Sequence, residues 1–301
     1  MKDYTKGIIA AVFTIVIWSS TYISTKILVQ IFTPIQISLI RFSIGVIFLS
    51  ILAPPKFKRV DWKAESRIIL AGFTGMFLYY FLENLATKNT YASNVSIIVT
   101  SIPFLTVLMA PLFYSEEKFK VRYIFSFLLG IGGFVLILSE GGDLEGISVF
   151  GDLIALASAV IFSVYILILR GIDSKENSLV VTRKAMTYGL FFIFFFTIIR
   201  NEIRFAENIF APQYFWHFLF LGVFASGICF TSWAFAVKKV GAIVSSQFIY
   251  LVPFITITLS SILLKEEITV MRMLGLAIIV SGVVISQIEI KRKESALDIR
   301  T

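Results

Sequence analysis

The chain has 301 residues, of which 57% are hydrophobic and only 15% charged, and its formal net charge is +8. Its mean hydropathy of +0.89 puts it in the membrane class and excludes an ordinary water-soluble domain. The single cysteine, Cys229, excludes an intrachain disulfide. The single histidine, His217, has no metal-ligand spacing around it, so no metal and no cofactor is expected.

Apolar runs of about 20 residues match a hydrocarbon layer of roughly 30 Å at about 1.5 Å per helical residue. They predict spans at 7–28, 35–53, 67–87, 91–113, 121–138, 149–169, 182–199, 214–237, 243–264 and 272–290. The first run is too long for a signal peptide and lacks a small-residue cleavage pattern, so it reads as a signal anchor and first span. It carries Trp18, Thr21 and Tyr22. Span two holds Arg41, and span three holds Tyr79, Glu83 and Asn84 along a face with helical spacing. Span four contributes Asn94, Ser101 and Pro103. The pair Glu116-Glu117 follows, then span five with Gly132 and Gly133, then an acidic external loop, 139–152, that includes Asp152. Tyr165 lies in span six and, with Ser101 and Gln247, is expected among the substrate-binding or cavity residues. Span eight places His217 beside Trp216 at its outer mouth, where an interfacial role fits better than a proton relay, and Trp233 further along. Span nine brings Gln247, Tyr250 and Pro253, and Glu266-Glu267 precede the last span. Ten spans leave connections of about 14 residues at most, with no room for a soluble catalytic domain.

The second half repeats the first. Moved forward by 150 positions, Gly72–Gly132 aligns without a gap on Gly222–Gly282, and 12 of the 61 positions are identical, including Pro103/Pro253, Glu116-Glu117/Glu266-Glu267 and Arg122/Arg272. A shift of 144 pairs Gly7 with Gly151, Trp18 with Phe162 and Ser19 with Ser163. An odd number of spans per repeat turns the second copy upside down. The expected fold is therefore an all-α integral membrane domain of ten transmembrane helices in two inverted five-helix repeats, 1–145 and 146–290, followed by a basic cytoplasmic tail, 291–301. Inverted repeats characterise transporters that hold substrate near the bilayer midplane between the halves.

With the N-terminus inside, 20 of the 27 lysines and arginines fall on the cytoplasmic side. The positive-inside bias then puts both termini in the cytoplasm and the chain in the cell membrane. The positive charge reads as a topology and anionic-lipid signal, and no nucleic-acid partner is expected.

Glu83 is the outstanding position, because an ionisable residue inside a span is expensive and faces a polar cavity or a partner. Two roles fit it: a coupling carboxylate or binder of a cationic group, or an ion pair with Arg41 at similar depth. The roles overlap, since coupling carboxylates exchange partners. Thr21, Tyr22, Asn84 and Asn94 share its outer layer, and Asn94 either reads substrate or bonds a neighbouring helix. Under the 150-residue shift Trp233 takes the place of Glu83, Gln247 that of Ile97 and Tyr250 that of Thr100. Trp18, Tyr22, Tyr79, Trp233 and Tyr250 either line the cavity, where rings attract cations, or fill space. Pro103 and Pro253 should kink their spans, as a gate or as fixed curvature. Glu117 and Glu267 should cap the helices that follow them. Gly132, Gly133 and Gly282 suit close helix contacts, within the protein or across a homodimer.

AVFTIVIWSSTYISTK, IQISLIRF with Arg41, NLATKNTYASNVSIIVTSIPFLTVLMAPLFYSEEKF, ALASAVIFSVYILILRGI and VGAIVSSQFIYLVPFITITLSSILLKEEIT follow one another along essentially the whole chain. In this order they resemble the EamA family of the drug/metabolite transporter superfamily. The resemblance implies transport of small metabolites or drugs, and export of amino acids or related compounds in particular. Where that family often has a glycine before the motif's acidic residue, this chain has Glu116 and Glu266, and spacing assigns the role to Glu117 and Glu267. Proton-coupled movement of organic cations is the alternative that Glu83 and its aromatic neighbours suggest. A channel or membrane ligand-binding protein is the alternative of another class. An enzyme is not expected, because the spans hold no paired aspartates, Ser/His pair or HExxH. The expected partners are a small-molecule substrate and membrane lipid, for a monomer or homodimer.

Overall fold

The computed structural model describes residues 2–55, 61–115, 125, 128–133, 135–136, 148–172, 177–202, 211–241, 245, 248–282 and 285. Glu117, Gln247, the loop 139–147 and the tail 291–301 lie outside the described residues. Among the described residues there is no strand. Seven helices among those residues are long and apolar enough to cross a membrane. These are α1 (Lys2–Leu28), α2 (Pro34–Leu52), α3 (Trp62–Asn89), α4 (Ala92–Phe113), α6 (Val149–Arg170), α7 (Ser178–Ile199) and α8 (Pro212–Val240). A short helical stretch at 128–133 is α5, and two shorter apolar helices follow, α9 (Phe248–Leu263) and α10 (Val270–Gly282).

Polar residues set the helix starts in an otherwise apolar chain. Thr33 and Gln36 form a reciprocal capping box with Pro34 in the first turn of α2. Asp61, Ser148 and Asn177 cap α3, α6 and α7 through their side chains. The outward faces are apolar, with Ile9 63%, Leu112 81% and Phe191 65% exposed, as lipid contact demands.

Two pairs of irregularities shape the helices. The prolines do not kink continuous helices as expected. Instead, the first part of α4 ends at Val99, and the helix resumes at Ile102 with Pro103 in its new first turn. α9 likewise opens with a 3-10 turn, Phe248–Leu251, before Val252 and Pro253. Proline has no N–H to give to a helix interior but fits a first turn, so the chain breaks just before it. The second pair was not foreseen: α3 is π-helical over Gly72–Leu78 and α8 over Phe220–Ile228, stretches that overlap under the 150-residue shift. π-Segments concentrate at functional places in helices.

Helix packing falls into exchanged sets. α1 lies on α8 and α9, while α6 lies on α3 and α4; α2 lies on the π-segment of α8, while α7 lies on that of α3. Small residues permit the closest crossings. A Cβ on Gly72 would strike the Ala185 carbonyl, and one on Gly222 would come 2.5 Å from the Ile44 side chain. Gly133 contacts Gly275 and Ile279 of α10, within the protein, whereas Gly132 meets open space. Asp152 is not in an external loop. It stands in the first turn of α6 and is fully buried.

Candidate functional site

The exchanged packing leaves a small cavity among α1, α3, α4, α6 and α9. Its lining is Ile15, Trp18, Thr21, Tyr22, Tyr79, Tyr80, Glu83, Val99, Ile102, Phe162, Ile249 and Val252. Three pairs in that list are repeat mates: Trp18/Phe162, Val99/Ile249 and Ile102/Val252. The free space is about 30 Å³, room for a water molecule and not for a metabolite. This conformation is closed around the centre.

Glu83 is the cavity's carboxylate. It is buried, and its Oε1 accepts a 2.6 Å hydrogen bond from the Tyr79 hydroxyl one turn earlier on α3. Rings surround it. Tyr79 lies 4.5 Å from Phe162 and 4.8 Å from Tyr80 between centroids, and Trp18 lies 5.3 Å from Trp233. The Trp18 indole N–H donates to the Ala225 carbonyl at 3.0 Å, which ties α1 to the π-segment of α8 and fixes the ring. A negative group ringed by aromatic faces attracts cations twice over, by its charge and by the ring quadrupoles.

No ion pair joins Glu83 to Arg41 among the described residues. Arg41, 1% exposed, instead donates from Nε to Ser226 Oγ at 3.1 Å and places its guanidinium carbon 4.1 Å from the Tyr80 ring centroid.

The other expected residues fall in different places. Asn84 donates to the Pro34 carbonyl (3.1 Å) and Ser38 Oγ (3.0 Å), holding α3 to α2. Asn94 reaches both oxygens of Asp152 at 3.4 Å. Ser101 sits at the α4 break. Tyr165 packs its ring against Gly75 and Phe162. Trp233 is fully buried behind Trp18, and Tyr250 lies in the 3-10 turn of α9. His217 is 3.1 Å from Ser24 Oγ and partly buried, while its neighbour Trp216 is 66% exposed.

A second polar cluster occupies the α3–α4 turn. The Glu266 carboxylate accepts from the backbone N–H groups of Ala92 (3.0 Å) and Ser93 (3.1 Å) and from Ser93 Oγ (2.6 Å). The capping contact thus belongs to Glu266, not Glu267, and the helix capped is α4 of the other half rather than the helix that follows. Glu267 is exposed and, among the described residues, lends only its backbone carbonyl, to Arg272 Nη1 at 2.6 Å. Arg272 also donates to Ser93 Oγ and stacks over the Tyr91 ring. Lys26, from the end of α1, donates to the carbonyls of Thr87 (2.9 Å) and Thr90 (2.5 Å).

Tyr80 and Phe162 were not singled out from the sequence as cavity residues. Signals for both were present: Phe162 is the repeat mate of Trp18, and Tyr80 lies three residues from Glu83 on one helix face.

Comparison with known proteins agrees with this architecture. The model of the EamA-like transporter family matches twice, over residues 5–139 and 149–287. The chain is 26% identical, over 93% of its length and 93% of the relative's, to a protein of Streptantibioticus cattleyicolor named "Probable terminal-alkyne amino-acid exporter". It is 26% identical to the uncharacterized transporter YvbV of Bacillus subtilis, covering 97% of this chain and 95% of that one. An uncharacterized transporter of Archaeoglobus fulgidus is 22% identical, with 90% and 95% covered. A solved crystal structure shares the fold, with a TM-score of 0.67, 20% identity, and 97% and 98% of the two chains covered. This chain belongs to the EamA-like transporter family, a multi-pass membrane protein and not an enzyme.

Proposed function

We propose that the protein is a secondary transporter that exports small amino-acid-like metabolites across the cell membrane by alternating access. In this reading it has ten transmembrane helices in two inverted five-helix repeats, 1–145 and 146–290, with both termini cytoplasmic. The observation that carries the proposal is Glu83, a buried carboxylate facing a central cavity walled by repeat-mate residues of both halves. Midplane sites at a repeat interface, beside interrupted helices, are where such proteins hold substrate. The breaks before Pro103 and Pro253 supply the interruptions. Support for the repeat comes from the two family matches and the exchanged helix packing. The name of the S. cattleyicolor relative motivates the amino-acid class and the outward direction.

Alternating access requires one end to be shut while the other opens. The Glu266, Arg272 and Lys26 contacts join α1, the α3–α4 turn and the α9–α10 connection, and in the proposed topology they close the outer end. At the opposite end, Ala10, Asn177, Ser178, Thr231 and Lys238 line an open recess of about 500 Å³. That recess lies where the cytoplasmic entrance belongs.

Counterflow tests the proposal. Proteoliposomes loaded with unlabelled leucine should accumulate labelled leucine transiently and saturably. Flux that neither saturates nor shows counterflow identifies a channel. The aromatic surround of Glu83 favours one second reading, organic-cation transport, which predicts exchange of simple amines and none of leucine.

A further inference from the structure

We propose that Arg41 is the anion-recognising half of the same site, so that the cavity selects zwitterions, with the substrate ammonium on Glu83 and its carboxylate on Arg41. This rests on the transporter reading above and adds to it a residue and a rule of selection.

Arg41 is 1% exposed, yet among the described residues neither Nη1 nor Nη2 has a hydrogen-bond partner. Its attachments are the Ser226 hydroxyl on Nε and two rings, Tyr80 at 4.1 Å and Phe42 at 5.3 Å. Ring faces and one hydroxyl compensate only part of the cost of burying a guanidinium. Arg272, equally buried, differs at Nη1, which donates to Ser93 Oγ and to the Glu267 carbonyl. Two adjacent unoccupied guanidinium nitrogens form a planar fork that matches both oxygens of a carboxylate.

Location connects this fork to the cavity. Tyr80, which carries the guanidinium over its ring, lines the cavity beside Glu83. Tyr80 and Glu83 are three residues apart on α3 and so share a helix face. Opposite charges therefore stand by the same tyrosine, Arg41 over the Tyr80 ring and Glu83 three residues along its helix, and are not ion-paired. A direct Arg41–Glu83 pair would leave nothing for a ligand to neutralise. Separated charges favour a molecule that brings both signs, once the closed cavity expands and the Tyr80 ring turns aside. Ser226, which holds Nε, belongs to the π-segment of α8, so the fork is anchored by the second half while Glu83 belongs to the first.

The test uses the purified full-length protein and three probes of one carbon skeleton: leucine (zwitterion), 3-methylbutylamine (cation) and N-acetylleucine (anion). Binding is read by thermal shift, and transport in proteoliposomes. Wild type should prefer leucine to either singly charged probe by more than about 10-fold. Arg41→Gln should lose that preference while keeping its affinity for the amine. Glu83→Gln should lose the amine and leucine while keeping residual binding of N-acetylleucine. Arg41→Lys, which keeps the charge and loses the fork, should weaken leucine less than Arg41→Gln and serves if the latter does not fold. Equal loss of leucine and amine in the Arg41 variants overturns the proposal, as does unchanged leucine affinity or a wild type that takes the amine as well as leucine. In each of those cases, saturable counterflow by wild type leaves the transporter reading standing. Absence of counterflow for every solute tried removes the transporter reading itself.

Discussion

At the α3–α4 turn the charged groups are held across the halves by several bonds each: Glu266 takes three donors, Arg272 donates from Nη1 to a hydroxyl and a carbonyl and lies over a ring, and Lys26 donates to two carbonyls. At the centre, Glu83 meets only tyrosine hydroxyls among the described residues, Tyr79 at 2.6 Å and Tyr22, and Arg41 Nη1 and Nη2 have no hydrogen-bond partner there. Both regions are buried, so the difference is not one of solvent. A network of charge-assisted bonds between the halves rigidifies what it joins, whereas opposite charges buried near one another without pairing carry a cost that a ligand can relieve. The turn is thus suited to hold a closed state, and the centre to bind.

That contrast can be broken in order of expected effect. Glu83→Gln, tested by proteoliposome transport, should reduce transport to background and abolish any pH-dependent uphill component, with little change in melting temperature. Unchanged coupling to pH in a folded variant would remove the carboxylate as proton carrier. Glu266→Gln should do the reverse, weakening charge-assisted bonds at the start of α4. A loss of about 2–3 kcal/mol in denaturant or thermal unfolding is expected, against less than about 0.5 kcal/mol for exposed Glu267→Gln. If the two variants lose equally, the cross-half cap is not what holds the turn. Gly222→Ala puts a methyl group 2.5 Å from Ile44 and should cost about 1–3 kcal/mol by overpacking, measurable as a lower melting temperature. Tyr79→Phe deletes the hydroxyl on Glu83 and should change substrate affinity by about 3- to 10-fold, the worth of one hydrogen bond, leaving the fold intact. Asp3→Asn breaks the exposed pair with Lys239 and should leave both melting temperature and transport where they were.

How far the sequence carried varies with the kind of information. Apolar run length located α1, α2, α4, α6 and α7 to within a few residues at most ends, because span length follows from bilayer thickness. Among the cavity residues, Trp18, Thr21, Tyr22, Tyr79 and Glu83 could be named from depth and helical spacing, since α1 and α3 present regular faces. What escaped was angular or long-range. The π-segments have no composition signature, although the repeat placed both within the same aligned stretch. Asp152 looked like loop acid because its partner Asn94 is 58 residues away. Glu266 looked like a local cap, yet it reaches 174 residues back to Ala92. Arg41 and Glu83 read as a pair from their places in adjacent spans, but Arg41 meets Tyr80 and Ser226 instead.

The most direct measurement is leucine counterflow in proteoliposomes carrying wild type or Glu83→Gln, matched for protein content and melting temperature. The account predicts saturable, trans-stimulated exchange by wild type and none above protein-free vesicles for the variant. Exchange by a folded Glu83→Gln protein at the wild-type rate would contradict it and take the substrate path out of this cavity.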